Sequence, residues 1–379
     1  MHTALVPVSV DTPELIALRA EVRAFLRECI AAGDFVPQSD SWQSSVNIEF
    51  SKKLAARGWV GMSIPVEYGG QGKGALERFV VTEELLAHGA PVAAHWIADR
   101  QMVAAIMRNG TEEQRRTYLP GIASGERYFC IGMSEPDSGS DLASVRTKAT
   151  PDGTGWRING AKVWTSIAHV ATNMVVLVRT DEGERQQGLS QFLIDLPNPN
   201  ITIDPIYTID GEHHFNQVYF DNAYVEGTAL LGARGDGWKQ CTAELANERS
   251  GPERLLSVFP LLQAWAENVD DDDAIDQLEL GRLLSRLIVL RQMSLGVLSR
   301  LLEGSEPSVE AALVKDLGTI FEGEVVDSIR RAAMTQPGLG STEIDSLLFD
   351  SIRHSPAFTL RGGTNEILRG IIAKGLWHA

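Results

Sequence analysis

The pattern of hydrophobic and polar residues changes twice along the chain. Over residues 12–32, and in further segments up to residue 126, apolar residues recur three and four positions apart, which is the spacing of amphipathic helices. Over residues 128–231, short runs of β-branched and aromatic residues alternate with turns rich in Gly, Asp, Asn and Pro, a pattern typical of β-strands. From residue 237 to the C-terminus the helical spacing returns.

The two changes of pattern predict an α+β fold with three domains. We expect an N-terminal α-helical domain over residues 1–126, a middle β-barrel-like domain over residues 127–232, and a C-terminal four-helix-bundle domain over residues 233–379. The length of 379 residues favours more than one domain, because a single hydrophobic core seldom grows beyond ~250–300 residues.

Composition and charge argue against several classes of partner. The chain has 34 Lys and Arg residues against 50 Asp and Glu residues, and its net charge of −16 disfavours nucleic acid or an anionic membrane surface. No run approaches the ~18 consecutive apolar residues of a membrane span, and the N-terminus lacks a secretory signal pattern. We therefore expect a cytoplasmic protein that binds neither nucleic acid nor membranes.

Residues that could bind a metal or form disulfides are sparse. Cys29, Cys130 and Cys241 lie far apart in the sequence, and we expect them to be reduced. His213 and His214 are adjacent, but two histidines alone do not make a ligand set, so we predict no bound metal.

One predicted strand of the middle region ends in an unusually small and polar segment. It reads Gly132-Met133-Ser134-Glu135-Pro136-Asp137-Ser138-Gly139-Ser140-Asp141 and follows the apolar run that ends at Ile131. Small residues allow a planar ring or a phosphate to approach the backbone closely. A surface hairpin with ordinary turn residues would have the same composition, so this segment alone leaves both interpretations open.

A second segment, Lys162-Val163-Trp164-Thr165-Ser166, follows the first one. Together the two segments resemble the flavin-binding patterns Glu-Pro-x-x-Gly-Ser-Asp and Lys-x-Trp-x-Thr/Ser of the acyl-CoA dehydrogenase family. The α–β–α order of the whole chain is similar to that family as well. The resemblance implies an FAD site lined by Ile131, Gly132, Ser134, Ser140, Trp164 and Ser166, and by Gly363, Thr364, Asn365 and Glu366 of a C-terminal loop.

The resemblance also implies the reaction, which is the α,β-dehydrogenation of an acyl-CoA thioester. In this family a glutamate takes the α-proton, the β-hydrogen leaves as hydride to the flavin N5, and the electrons pass to an electron-transferring flavoprotein. Such a carboxylate has to be desolvated so that its pKa suits proton abstraction.

The position of the catalytic glutamate differs between branches of the family. Medium-chain relatives carry it before a late Gly-Thr, where this chain has Gly362. Isovaleryl- and long-chain-type relatives carry it directly before an arginine on an earlier helix, where this chain has Glu248 followed by Arg249. Glu248 is therefore the predicted base, with Ser140, Asn247 and Arg249 as substrate contacts. The alternative is a surface carboxylate paired with a nearby arginine.

Two family motifs that reach a neighbouring subunit's FAD pyrophosphate are missing. In place of Arg-x-x-Phe-Gly and Gln-x-x-Gly-Gly-x-Gly, the chain has the acidic segment 268–273 and the segment 330–338. We expect a homo- or hetero-oligomer, and hypothesise that a different dehydrogenase-like chain supplies the missing residues. Two other functions stay open, namely a family offshoot with other flavin and CoA chemistry, such as desulfination or oxygenation, and a non-catalytic partner subunit.

Overall fold

The computed structural model describes residues 5–335 and 342–377, except for the side chains of residues 244–248, 335, 342 and 377. The chain forms two compact units, each of which gathers segments that are distant in the sequence. The helical unit comprises Met1–Ser45, Gly74–Pro91 and Leu245–Ala379, and the sheet unit comprises Val46–Lys73 and Val92–Glu244. The predicted α+β class and the order of helical, β and helical regions are confirmed.

The α-helices flank the β-region in the sequence, as the hydrophobic pattern predicts. In chain order they are α1 Pro13–Ala32, α2 Ser41–Ser44, α3 Ile48–Ala56, α4 Ala75–Ala87, α5 Ala93–Ile97, α6 Val103–Asn109, α7 Glu112–Ala123, α8 Gly237–Glu248, α9 Phe259–Ala266, α10 Ala274–Leu302, α11 Ser308–Thr335, α12 Thr342–Phe358 and α13 Asn365–Trp377. None of the described helices is both long and apolar enough to cross a bilayer.

Local capping residues explain where several helices begin and end. The Thr12 hydroxyl accepts the amide of Leu15 at the start of α1, and Gly33 ends that helix at a left-handed φ of 75°. Thr111 and Gln114 form a reciprocal capping box at the start of α7, a spacing that can be read from the sequence.

Within the N-terminal region of helical spacing, the helical run over residues 93–109 is not regular in the structure. A π-helical segment, Ala98–Met102, lies between α5 and α6. It contains the buried Asp99, whose carboxylate accepts the backbone amide of Gly61 at 2.7 Å. Hydrophobic spacing could not predict this wider turn, because the contact with Gly61 joins residues that are distant in the sequence.

The β-region forms one mixed sheet of eight strands. They are β1 Phe129–Gly132, β2 Lys148–Asp152, β3 Gly155–Ser166, β4 Asn173–Arg179, β5 Leu189–Asp195, β6 Ile201–Tyr207, β7 His213–Glu226 and β8 Leu230–Leu231. The hydrogen-bonded order is β6-β7-β3-β2-β4-β5-β8, and β1 pairs in parallel with β4. Its core contains Cys130, Ile158, Met174, Phe192 and Val218.

Within the helical unit, the long helix α11 packs against α10, α12 and α13. A cluster of buried charges joins the N-terminal helices of this unit to α10. Glu84 of α4 accepts hydrogen bonds from Arg19 and Arg23 of α1, and Glu83 accepts them from Arg19 and from Arg291 of α10. Both carboxylates are buried, so their arginine partners are needed to offset the loss of hydration.

Candidate active site

In the sheet unit, the two segments that resemble flavin-binding motifs lie directly against each other. The backbone amide of Val163 in β3 donates to the carbonyl oxygen of Ser134, just beyond β1, at 2.9 Å. The Lys162 ammonium donates to the carbonyl oxygen of Met133 at 3.0 Å. The structure therefore brings together Ile131, Gly132 and Ser134 on one side and Trp164 and Ser166 on the other.

A buried ion pair holds these two segments together. Lys162 Nζ lies 2.8 Å from Glu135 Oε1, and the amides of Arg146 and Thr147 donate to the same carboxylate at 2.7 and 2.8 Å. Lys162 is 0% exposed and Glu135 is 8% exposed. Burial raises the pKa of Glu135, but Lys162 and the two amides outweigh this effect and lower it. Burial lowers the pKa of Lys162 to about 8.

The sequence reasoning did not assign a role to either member of this pair. The available signal was that the second motif contributes one lysine, Lys162, whereas the first contributes three carboxylates, Glu135, Asp137 and Asp141. Such residues are rarely buried unless they are paired. A lysine within a predicted strand therefore indicates an ion pair with one of these carboxylates.

Trp164 adopts a strained backbone conformation that turns its side chain out of the sheet. Its φ is 59°, and the β3–β7 ladder shifts register between Lys162 and Thr165. The indole is 56% exposed and packs edge-on against Phe215, with ring centroids 5.7 Å apart. A left-handed conformation costs a non-glycine residue roughly 1–2 kcal/mol, and such residues cluster at functional sites.

A buried side chain of β7 holds the backbone of Thr165, the residue after Trp164. Asn216 Nδ2 donates to the carbonyl oxygen of Thr165 at 3.0 Å, and Asn216 Oδ1 lies 2.7 Å from His213 Nε2. The imidazole of His213 stacks on that of His169, with centroids 3.9 Å apart. His213, which the sequence analysis considered as a metal ligand, thus supports the segment that carries Trp164.

Gly132 and Ser140 have surroundings that their motif alone did not predict. A β-carbon at Gly132 would overlap the terminal methyl group of Met174, so a larger residue there would require that flexible side chain to shift. Ser140 is exposed, whereas Ser138 is buried and donates to the carbonyl oxygen of Asp141 at 2.7 Å. Ser138 therefore stabilises the turn itself.

In the helical unit, the residue after Glu248 contacts the late glycine position. Arg249 is 7% exposed, and its Nε donates to the carbonyl oxygen of Gly362 at 3.3 Å. Gly362 and Gly363 have φ values of 67° and 89°, which favour glycine. The side chains of Asn247 and Glu248 lie outside the described residues.

The loop that carries these glycines is anchored by an arginine at its start. Arg361 donates to both carboxylate oxygens of Asp40, at 2.6 and 2.7 Å, and its guanidinium lies 4.4 Å from the ring centroid of Trp42. At the other end, the Thr364 hydroxyl accepts the amide of Ile367 in α13. Of the two other predicted loop residues, Asn365 is buried and Glu366 is exposed.

Comparison with known protein families matches almost the whole chain in three consecutive parts. Residues 12–126 match the N-terminal domain of acyl-CoA dehydrogenases, residues 130–223 the middle domain, and residues 235–377 the C-terminal domain. The chain is 33% identical over 378 residues to the acyl-CoA dehydrogenase IpdE1 of Mycobacterium tuberculosis, covering 94% of this chain and 95% of the relative.

Solved structures agree with this assignment. A structure described as the Tcur3481-Tcur3483 steroid ACAD superposes with a TM-score of 0.84 at 26% identity, covering 98% of this chain and 99% of that one. The ChsE4-ChsE5 complex from Mycobacterium tuberculosis gives a TM-score of 0.79 at 28% identity, covering 100% and 99%. The chain therefore belongs to the acyl-CoA dehydrogenase family, whose members are oxidoreductases acting on CH–CH groups.

Proposed function

We propose that this protein is an FAD-dependent dehydrogenase of acyl-CoA thioesters in which Glu248 takes the α-proton. The observation that carries the proposal is the contact between Arg249 Nε and the carbonyl oxygen of Gly362, 3.3 Å apart. It supports the view that the end of α8 and the late glycine loop border the same place. A catalytic glutamate on the helix would then act at the same position as one in the loop.

The backbone at position 362 favours this placement of the base. A glutamate there would need a φ near 67°, a conformation that side-chain-bearing residues seldom adopt. Gly362 also has no group that can accept a proton, so Glu248 is the carboxylate that the family resemblance leaves for the role. We propose that Arg249, Asn247 and Ser140 contact the CoA thioester.

The residues fit an FAD cofactor on two observations. Trp164 offers an exposed aromatic face at the junction of the two motif segments. Among the described residues, Asn365 Nδ2 and Thr165 Oγ1 are buried polar atoms without a hydrogen-bond partner, and a bound cofactor would supply one. When bound, FAD supplies the acceptor for the β-hydrogen as hydride.

The residues that would hold FAD belong to the two segments of the sheet unit and to the glycine loop. They are Ile131, Gly132, Ser134, Ser140, Trp164 and Ser166, and Gly363, Thr364, Asn365 and Glu366. We propose that the electrons then pass to an electron-transferring flavoprotein.

The acyl group is proposed to be bulky. One similar structure is described as a steroid ACAD, and the base position matches the isovaleryl- and long-chain-type relatives. A glycine at position 362 in place of glutamate also leaves more room beside Arg249.

An oligomer with a second, related chain is proposed as well. Two of the similar structures carry paired names, ChsE4-ChsE5 and Tcur3481-Tcur3483. In this chain the segment 268–273 carries Asp273, which caps α10 through the amides of Ile275 and Asp276. A run of carboxylates would repel a pyrophosphate. Native mass spectrometry tests the idea, because a homotetramer with one FAD per chain would contradict it.

Anaerobic titration of the purified protein with CoA thioesters, followed by flavin absorbance, tests the proposed function. The flavin absorbance should bleach with a straight-chain, branched or ring-bearing acyl-CoA. A yellow protein that bleaches only with other substrates would favour the offshoot chemistry, and a colourless one the non-catalytic subunit.

A second experiment tests the position of the base. Glu248→Gln should stop bleaching while the flavin stays bound, because a neutral amide cannot take the α-proton. Activity of the Glu248→Gln variant close to that of the wild type would refute the assignment.

A further inference from the structure

A buried lysine of α11 makes three contacts with the segment around Gly362 and Gly363, which we call the glycine loop. Lys315 Nζ donates to Asn365 Oδ1 at 2.7 Å, to the carbonyl oxygen of Gly363 at 2.9 Å, and to that of Thr359 at 3.3 Å. Lys315 is 0% exposed. No motif identified this residue, and the mechanism proposed above does not use it.

The number of acceptors matches a charged ammonium group. An ammonium has three N–H donors, and here each has an oxygen within hydrogen-bond distance. A neutral amine has only two donors, so it could not donate to all three of these oxygens at once. Burial and repulsion by Arg254 and Arg361 lower the pKa of Lys315 to about 7, while Asp316 and Glu322 act in the opposite direction.

The three acceptors lie on both sides of Gly362. Thr359 is the first residue after α12, Gly363 and Asn365 follow Gly362, and the amide of Asn365 donates back to the carbonyl oxygen of Thr359 at 3.1 Å. One side chain therefore closes the loop across its base. Since glycines are the most flexible residues, a loop with two of them needs such a fixed point to keep one conformation.

We propose that Lys315 is a positioning residue of the active site. Its ammonium fixes the loop 359–365 in the conformation that places the Gly362 carbonyl oxygen against Arg249 and holds Gly363 and Asn365 at the cofactor. This inference rests on the proposed function, because it assumes that the loop borders the reacting groups.

The test compares three variants in the protein as isolated, with any subunit that co-purifies. Lys315→Met removes the three donors but keeps the side-chain stem, and Lys315→Arg keeps the charge. Glu84→Gln is the matched control, because it breaks a buried charged cluster of the same unit that involves α1 and α4 and not the loop. Each variant is measured by hydrogen exchange, thermal unfolding, flavin content and turnover.

Lys315→Met is expected to speed exchange of the Leu360, Arg361 and Asn365 amides about tenfold, since these amides close the loop. With the best CoA thioester and ferricenium as acceptor, kcat should fall at least about tenfold, because small misplacements of reacting groups are costly. Lys315→Arg should recover part of kcat, and Glu84→Gln should lose stability while it keeps kcat.

Two results would overturn the inference. Unchanged exchange of the loop amides in Lys315→Met would show that Lys315 does not fix the loop. Faster exchange with an unchanged kcat would show that its role is structural only. Absence of turnover in the wild-type protein would instead contradict the proposed function. The exchange rates of the loop amides would still test whether Lys315 fixes the loop.

Discussion

Replacing Lys162 with methionine should destabilise the sheet unit far more than the loss of one hydrogen bond would. The change leaves the Glu135 carboxylate buried, with only the amides of Arg146 and Thr147 as donors. Lys162 is 0% exposed and Glu135 is 8% exposed, so water cannot replace the ammonium. Breaking a buried ion pair by removing one partner costs about 3–5 kcal/mol.

The double variant Lys162→Met/Glu135→Gln separates the ion pair from simple packing. A neutral amide at position 135 is much cheaper to bury than a charge, so the double variant should lose less stability than the sum of the single variants. We expect a coupling free energy of at least ~1 kcal/mol for this contacting pair.

The assay is urea unfolding followed by circular dichroism, together with the flavin content of each purified variant. Arg157→Met is the control, because Arg157 pairs with Asp152 at 2.8 Å in the same sheet but the two side chains are 37% and 50% exposed. An exposed pair contributes only about 0–1 kcal/mol. If Lys162→Met costs no more than this control, or if the two single changes simply add, the reasoning about the buried pair is wrong.

Three further changes test other parts of the structure. Glu84→Gln should lower the free energy of unfolding by about 1.5–3 kcal/mol in urea titrations, because charged hydrogen bonds from Arg19 and Arg23 are weakened. Trp164→Gly should relieve the left-handed strain and raise the free energy of unfolding of the flavin-free protein by about 1 kcal/mol, yet weaken flavin retention on dialysis. Burial raises the pKa of Glu322 from 4.5 to about 7, so its contribution to stability is present below pH 4.5 and lost as the pH rises through about 7. Glu322→Gln should remove that part of the pH dependence of thermal unfolding, and an unchanged slope would contradict it.

Elements that depend on local sequence were predicted well. The helical and β-regions follow from hydrophobic spacing, and the start of α7 follows from Thr111 and Gln114, whose spacing is that of a capping box. These features are set by residues that are neighbours in the chain, so a single sequence contains the information.

Features that depend on contacts between distant residues were missed. In the π-helical turn Asp99 accepts the backbone amide of Gly61, and the left-handed Trp164 lies at the register shift against β7. Lys315 lies 44 or more positions from the loop residues that it contacts. Spacing in the sequence does not show which buried charge meets which carbonyl group.

The most direct test of the account is the rate at which an acyl-CoA bleaches the flavin of Glu248→Gln, measured anaerobically in a stopped-flow instrument. The control is Glu267→Gln, an exposed carboxylate of the same unit. The account predicts that Glu248→Gln keeps its flavin but bleaches at least ~10²-fold more slowly than the wild type, while the control is unchanged. A Glu248→Gln variant that bleaches as fast as the control would contradict the central claim that the base lies at position 248.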